Sequence, residues 1–311
     1  MKRNGAAIIK SLRRDMGLSQ EEMAERMFIS VRQLARIESG EAGMDVWQFI
    51  NALELLGSPT EDFWLLYLDS DDYTAYREYK RLKRRLSVGD LMECTEIVSV
   101  IEGSALINQP VVKQYVAYAK IALELQTQRN AQADIPYNDM VERLLSVIRM
   151  SKPGFVEADI AAYRLSYNEI QLAMLLAQCL SAMGAHDRAI ILLRSMINSR
   201  EGAKVSEDDR AMLFPPLHYV LACLLSNAAK YREALKACET AIEICREYNN
   251  MFNIPTMLCT LAWCYFQLGE EEQIYKTHLQ RAYHMAYAIG RNQAAATIKT
   301  DALKYYNIVL P

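Results

Sequence analysis

The chain has 311 residues, with 35 Lys and Arg against 38 Asp and Glu, a formal net charge of −3 and a 51% hydrophobic fraction. That length suits two domains, or one small domain followed by an extended array, with apolar residues enough for a sizeable core. No uninterrupted apolar run is long enough to span a membrane, and Lys10 and Arg13 follow too soon for a signal-peptide core, so a cytoplasmic protein with no membrane partner is expected. Only 12 Gly and 8 Pro occur, and the long runs rich in Ala, Leu, Glu, Lys and Arg read as an almost wholly helical, all-α chain. The seven cysteines, Cys94, Cys179, Cys223, Cys238, Cys245, Cys259 and Cys264, form no C-x-x-C pair and have no His at ligand spacing. They read as buried, reduced thiols, so neither a metal nor another cofactor is expected.

The charge is unevenly spread. Residues 1–40 carry eight basic and five acidic side chains, and the remainder carries 27 and 33. The small positive excess therefore falls in the first helices, where nucleic-acid contact is anticipated from the motif below.

Residues 5–16 put Ile8, Ile9, Leu12 and Met16 on one helical face, and Gly17 ends that helix. Ser19 with Glu22 forms a capping box that opens a second helix, whose inner face is Met23, Ala24 and Met27. Ser30 opens a third, with Gln33 completing a second box, Leu34 and Ile37 inward and Gly40 as the stop. A fourth, over 45–56, buries Val46, Phe49, Ile50 and Leu53, and Gly57, Ser58 and Pro59 close the unit. Helix, tight turn and helix in this order is the DNA-binding helix-turn-helix, whose second helix enters the major groove of double-stranded DNA.

The stretches LSQEEMAERM and SVRQLARIESG resemble the helix-turn-helix of lambda-repressor-type (XRE family) proteins, over residues 5–57. In that family an Arg of the first helix pairs with a Glu near the end of the recognition helix. Arg13 and Glu38 occupy those positions, which implies a structural, partly exposed ion pair. Ser19 and Gln20 sit at a helix N-terminus, where backbone N–H groups favour phosphate, and the resemblance implies that Gln20 touches backbone or a base. Arg36 has the geometry to reach guanine O6 and N7, Arg32 to do the same or to hold phosphate, and Val31 to meet a thymine methyl group. Ser30 and Gln33 complete this register. Other readings stay open: Ser19 and Gln33 as caps, and Arg32 and Arg36, at i,i+4, as a solvated outer face.

Beyond Pro59 the helical pattern continues over 61–69, 72–86, 89–102, 109–127, 137–149, 157–183, 186–199, 212–228, 231–248, 254–268, 271–289 and 292–307, with the prolines expected between segments. The run YREYKRLKRRL, 76–86, has six basic side chains. These are expected to be solvated or paired with Glu78, Glu93 and Glu96, with phosphate contact as the alternative.

Three later pairs recur. Each has a small residue within its first helix (Ala177, Ala222, Ala262) and a turn residue (Gly184, Ala229, Gly269). The second helices begin with Ala189, Ala234 and, departing from the pattern, Ile274. These pairs resemble tetratricopeptide repeats with lengthened helices. Stacked pairs make a concave surface lined by the first helix of each. Register assigns Gln171, Met174, Gln178 and Ser181 to it from the first pair, Tyr219, Cys223, Ser226 and Asn227 from the second, and Thr256, Cys259, Trp263 and Gln267 from the third. The amides of Gln178, Asn227 and Gln267 suit the unpaired N–H and C=O groups of an extended peptide. Met174, Cys223 and Cys259 read more readily as core, Trp263 as packing or as groove, and Asn227 also as a helix C-terminal residue.

A helix-turn-helix at 1–58, a linker helix at 59–70 and repeats over 71–311 resemble the RRNPP-type (Rgg, PlcR and PrgX-like) peptide-sensing regulators. The resemblance implies a cytoplasmic homodimer whose repeats bind a short signalling peptide and thereby alter transcription. The alternative is a regulator whose repeats bind a protein partner or only dimerise. The four histidines, His186, His218, His278 and His284, are scattered, and no phosphate loop or nucleophile elbow occurs, so an enzyme is not expected.

Overall fold

The computed structural model describes residues 2–44, 46–56, 70–87, 91, 93–163, 165–201 and 207–311. The helix expected over 61–69, most of the linker at 59–70, and the side chains of Val46 and Ile50 lie outside the described residues. The structure is all-α: among the described residues there is no strand. The chain divides into two compact units, Met1–Lys113 and Gln114–Pro311.

The first unit opens with α1 (Lys2–Asp15), α2 (Gln20–Arg26), α3 (Val31–Glu38) and α4 (Val46–Leu55). The capping box at the head of α2 is complete: Ser19 Oγ accepts from Glu22 N, and Ser19 N donates to Glu22 Oε2 at 2.7 Å. At α3 only half a box forms. Ser30 Oγ accepts from Gln33 N, and no reciprocal bond from the Gln33 side chain exists. Ile9, Met23, Ala24, Leu34, Phe49 and Leu53 make a common core, each at most 1% exposed. Truncating one of the larger of these to Ala costs about 2–5 kcal/mol. Met16, expected on the inner face, is 49% exposed, because α1 ends at Asp15 and the chain reverses at Gly17, φ +68°. Helices α5 (Ser70–Ser87) and α6 (Cys94–Glu102) come next and fall within the same compact unit. A 3-10 turn at Ala105–Asn108 follows.

Helix α7 (Pro110–Asn130), whose residues from Gln114 on belong to the second unit, begins on its proline, where a missing N–H costs no helical bond. Then come α8 (Tyr137–Arg149), α9 (Tyr167–Ala182), α10 (His186–Glu201), α11 (Glu207–Asn227), α12 (Tyr231–Glu247), α13 (Ile254–Gln267), α14 (Glu272–Ala288) and α15 (Asn292–Tyr306). Consecutive helices pack as hairpins, α9 on α10, α11 on α12 and α13 on α14, with α15 against α14. Ala177, Ala222, Ala262, Ala189 and Ala234 are all 0% exposed, which is the close helix approach that small residues permit. The three turns share a left-handed residue: Gly184 at φ +85°, Gly269 at +72° and, without glycine's freedom, Ala229 at +56°.

Two expectations fail here. The helix anticipated over 157–183 breaks into a 3-10 segment, Glu157–Ala162, and α9, because Ser166 and Glu169 form a second complete capping box that starts a helix at Tyr167. Pro215 and Pro216 lie inside α11, not at its start. Each gives up one backbone bond, while Leu213, Phe214 and Leu217, at most 3% exposed, hold that stretch in the core.

Candidate nucleic-acid interface and ligand cavity

Glu38 closes α3 under α1. Arg13 Nε donates to Glu38 Oε1 at 2.6 Å and Arg13 Nη2 to Oε2 at 3.0 Å, while Nη1 donates to the Leu18 carbonyl at 2.6 Å. The two side chains are only 8% and 1% exposed, so the pair is buried and not partly exposed as expected. Burial pushes the Glu38 carboxyl up, but the hydrogen bonds from Arg13 and Gln20 and the Arg13 charge outweigh it and hold the group below its ordinary pKa. The bond to Glu38 in turn raises Arg13.

Gln20 departs from its expected role in part. Its Nε2 donates to Glu38 Oε2 at 2.8 Å, which commits that nitrogen inside the unit. Ser19 Oγ is likewise taken by its cap. Glu21 and Glu22 stand in the first turn of α2 and oppose an anion there.

On α3 the two faces separate cleanly. Leu34, Ile37 and Glu38 are buried, while Ser30, Val31, Arg32, Gln33 and Arg36 are exposed together. Since Gln33 does not close a box, its amide is not a cap. Arg36 Nε lies 3.8 Å from Glu41 Oε2, with both side chains more than half exposed. An exposed pair of this kind contributes under about 1 kcal/mol and exchanges readily for a base or phosphate. Phe28, in the turn before α3, is 94% exposed at φ +55°, a feature the sequence reading passes over. The basic run of α5 is paired in part: Arg81 with Glu78 and Glu93, Arg85 with Glu93 at 3.2 Å, and Arg77 with Asp15 at 3.7 Å.

In the second unit a cavity of about 320 Å³ lies between α11, α13, α14 and α15. It brings together six of the residues expected in the groove, Cys223, Ser226, Asn227, Thr256, Cys259 and Trp263. Asn227 is the last residue of α11 and its side chain is exposed. The other expected residues stand outside this wall. Met174 is 5% exposed and belongs to the core. Gln171 Oε1 accepts from Tyr118 and Gln267 Oε1 from Tyr231, each at 3.4 Å. Gln178 is half-buried on α9, and Tyr219 bonds to Cys223 and Thr260.

The sequence reading misses Thr260, Leu279 and the whole contribution of α15, namely Ile298, Asp301, Tyr305 and Tyr306. The signal was the i, i+3, i+7 spacing of Ile298, Asp301 and Tyr305, which puts them on one helical face. An aromatic cluster stiffens the wall: Trp263 meets Tyr306 edge-on at 6.3 Å, and Phe266 meets Tyr306 at 5.0 Å. Burial pushes Cys223 to about 11 and Cys259 to about 12, so both thiols are neutral near pH 7 and poor nucleophiles. Among the described residues no group of His, Cys, Asp and Glu is placed to hold a metal, and no helix is long and apolar enough to cross a membrane.

Two family models match the chain, helix-turn-helix over residues 9–61 and tetratricopeptide repeat over 215–248. No curated protein sequence matches it. Solved structures match over almost the full length. Bacillus thuringiensis PlcR in complex with the peptide PapR7 and DNA superposes with a TM-score of 0.68 at 16% identity, covering 95% of this chain and 99% of that one. The competence regulator ComR of Streptococcus vestibularis, bound to its cognate signalling peptide XIP, gives 0.53 at 13%, covering 98% and 99%. The SHP pheromone receptor Rgg2 of Streptococcus dysgalactiae gives 0.50 at 14%, covering 97% and 99%. At these identities the likeness is one of fold.

Proposed function

We propose that this chain, which shares the fold of PlcR, ComR and Rgg2, is a DNA-binding transcriptional regulator of the RRNPP type that senses a short peptide. Residues 1–58 act as the DNA-binding module, 59–70 as a linker and 71–311 as the region that binds peptide and dimerises. The protein works as a cytoplasmic homodimer without enzymatic activity.

The observation that carries the reading is the coexistence in one chain of an exposed α3 face, with Arg32, Gln33 and Arg36 projecting from a helix-turn-helix, and an aromatic-walled cavity beside Asn227. Arg36 donates in a fork to guanine O6 and N7, and Arg32 reads a base or phosphate. A two-fold dimer then reads half-sites separated by about one helical turn or a multiple of it. At the repeats, the Asn227 amide offers one donor face and one acceptor to a peptide backbone, whatever its side chains. Cys223, Thr256 and Trp263 add apolar and polar contacts that select among sequences.

Affinity selection on peptides from the producing culture, read by mass spectrometry, tests the ligand half. The wild-type chain is expected to retain a short, largely apolar peptide, and Asn227→Ala to lose it. Recovery of a protein in place of any peptide would move the repeats to the protein-partner alternative.

A further inference from the structure

The cavity beside Asn227 has an electrostatic peculiarity. Of its described lining residues Asp301 alone carries a full charge. The Asp301 side chain is half-buried, and no hydrogen bond or ion pair to it exists among the described residues. A carboxylate drawn partly out of water with no bonded partner is held at a cost, and the opposite charge that senses it is the exposed Lys304 ammonium three residues on in α15. A cation entering the cavity removes that cost, and an anion adds to it.

The walls suit a cation as well. The rings of Trp263, Tyr305 and Tyr306 border the same space, and aromatic faces attract ammonium and guanidinium groups. Trp263 and Tyr306 hold each other edge-on, so the box exists before a ligand arrives. Tyr305 already carries a cation, the Lys304 ammonium 4.7 Å from its ring centroid. Lys299, the other basic residue of the last turns of α15, is committed to the Pro311 carbonyl at 2.8 Å. The volume of about 320 Å³ stands at the low end of ligand pockets, about 300–1,000 Å³. It admits one side chain or terminus and not a whole peptide.

We propose that this cavity is the specificity pocket of the peptide site, and that it takes a single cationic group of the peptide, a Lys or Arg side chain or the N-terminal ammonium, between the Asp301 carboxylate and the rings of Trp263 and Tyr306. The inference rests on the peptide-sensing reading above and adds the charge of the ligand to it.

Equilibrium dialysis of the full chain against four pools of synthetic heptapeptides tests it. All are built from Ala, Leu, Val, Ile, Phe and Ser at mixed positions. One contains a single Lys and an acetylated N-terminus, one norleucine in place of Lys and acetylated, one norleucine with a free amine, and one Glu and acetylated. Wild-type protein is expected to retain the Lys pool or the free-amine pool about tenfold more than the acetylated norleucine pool. Which of the two is retained tells side chain from terminus. Asp301→Asn should erase that preference while holding norleucine peptides as before, and Asp301→Lys should turn it toward the Glu pool. Equal retention of charged and uncharged pools by the wild type overturns the cationic assignment and leaves peptide sensing standing. No retention of any pool overturns both. The wild-type comparison decides by itself should either variant fail to fold.

Discussion

Replacing Glu38 by Ala removes the acceptor of three hydrogen bonds, two from Arg13 and one from Gln20. What remains is a guanidinium at 8% exposure whose surviving bond is to the Leu18 carbonyl. A surface pair lost in this way would cost under about 1 kcal/mol. A buried pair broken on one side costs about 3–5 kcal/mol, because the orphaned charge stays desolvated. With a whole domain stable by about 5–15 kcal/mol, that is enough to open the N-terminal unit detectably. Amide hydrogen exchange in the full chain measures this locally. The protected amides of α2 and α3 should exchange with an opening free energy about 3–5 kcal/mol lower in Glu38→Ala. Replacing both partners by Leu should restore most of that loss, since the desolvation cost goes with the charges. An opening free energy within about 0.5 kcal/mol of wild type, the range of an ordinary surface change, would refute the argument that burial makes this pair structural.

The same carboxyl gives a pH dependence. Glu38 is held below its ordinary pKa, so its contribution is whole above about pH 4.3 and is lost as pH falls through the depressed folded value; exchange in α1–α3 should accelerate in acid, and less so in the Leu double variant. Arg36→Ala should weaken binding to a selected DNA site by about 1–3 kcal/mol and relax one base position, as read by titration against the site and its single-base variants; unchanged affinity and preference would remove Arg36 from recognition. Ala229→Gly should stabilise the second unit by about 1 kcal/mol in a denaturant titration, because Ala229 sits at φ +56° where the other two turns have glycine. Asn227→Ala should weaken a cognate peptide by roughly one to two powers of ten in calorimetry while leaving peptide-free DNA binding intact.

Local signals carried the reading furthest. Ser19 with Glu22, the stop at Gly17 and the apolar spacing of Met23, Leu34 and Ile37 place the first helices, because caps and periodicity act within a few residues. The box of Ser166 and Glu169 obeys the same rule and was legible too, yet the longer apolar pattern over 157–183 masked it. Tandem prolines 215 and 216 mislead for the opposite reason: tertiary burial of Leu213, Phe214 and Leu217 overrides a local breaker. The depth of the Arg13–Glu38 pair depends on chain packing across 25 residues, which no periodicity encodes. At the cavity, repeat register located Asn227, Thr256 and Trp263 but stopped at the third pair, so Asp301 and the tyrosines of α15, which follow that pair, were left out.

In the proposed function a peptide held by the repeats changes what the helix-turn-helix does at a promoter. Run-off transcription on a DNA fragment selected by the chain, with and without the peptide recovered by affinity selection, tests it most directly. Transcript yield should change by about fivefold or more on peptide addition, in either direction, and the change should vanish with Arg36→Ala and with Asn227→Ala. A yield that the peptide leaves untouched in the wild-type protein would contradict the account.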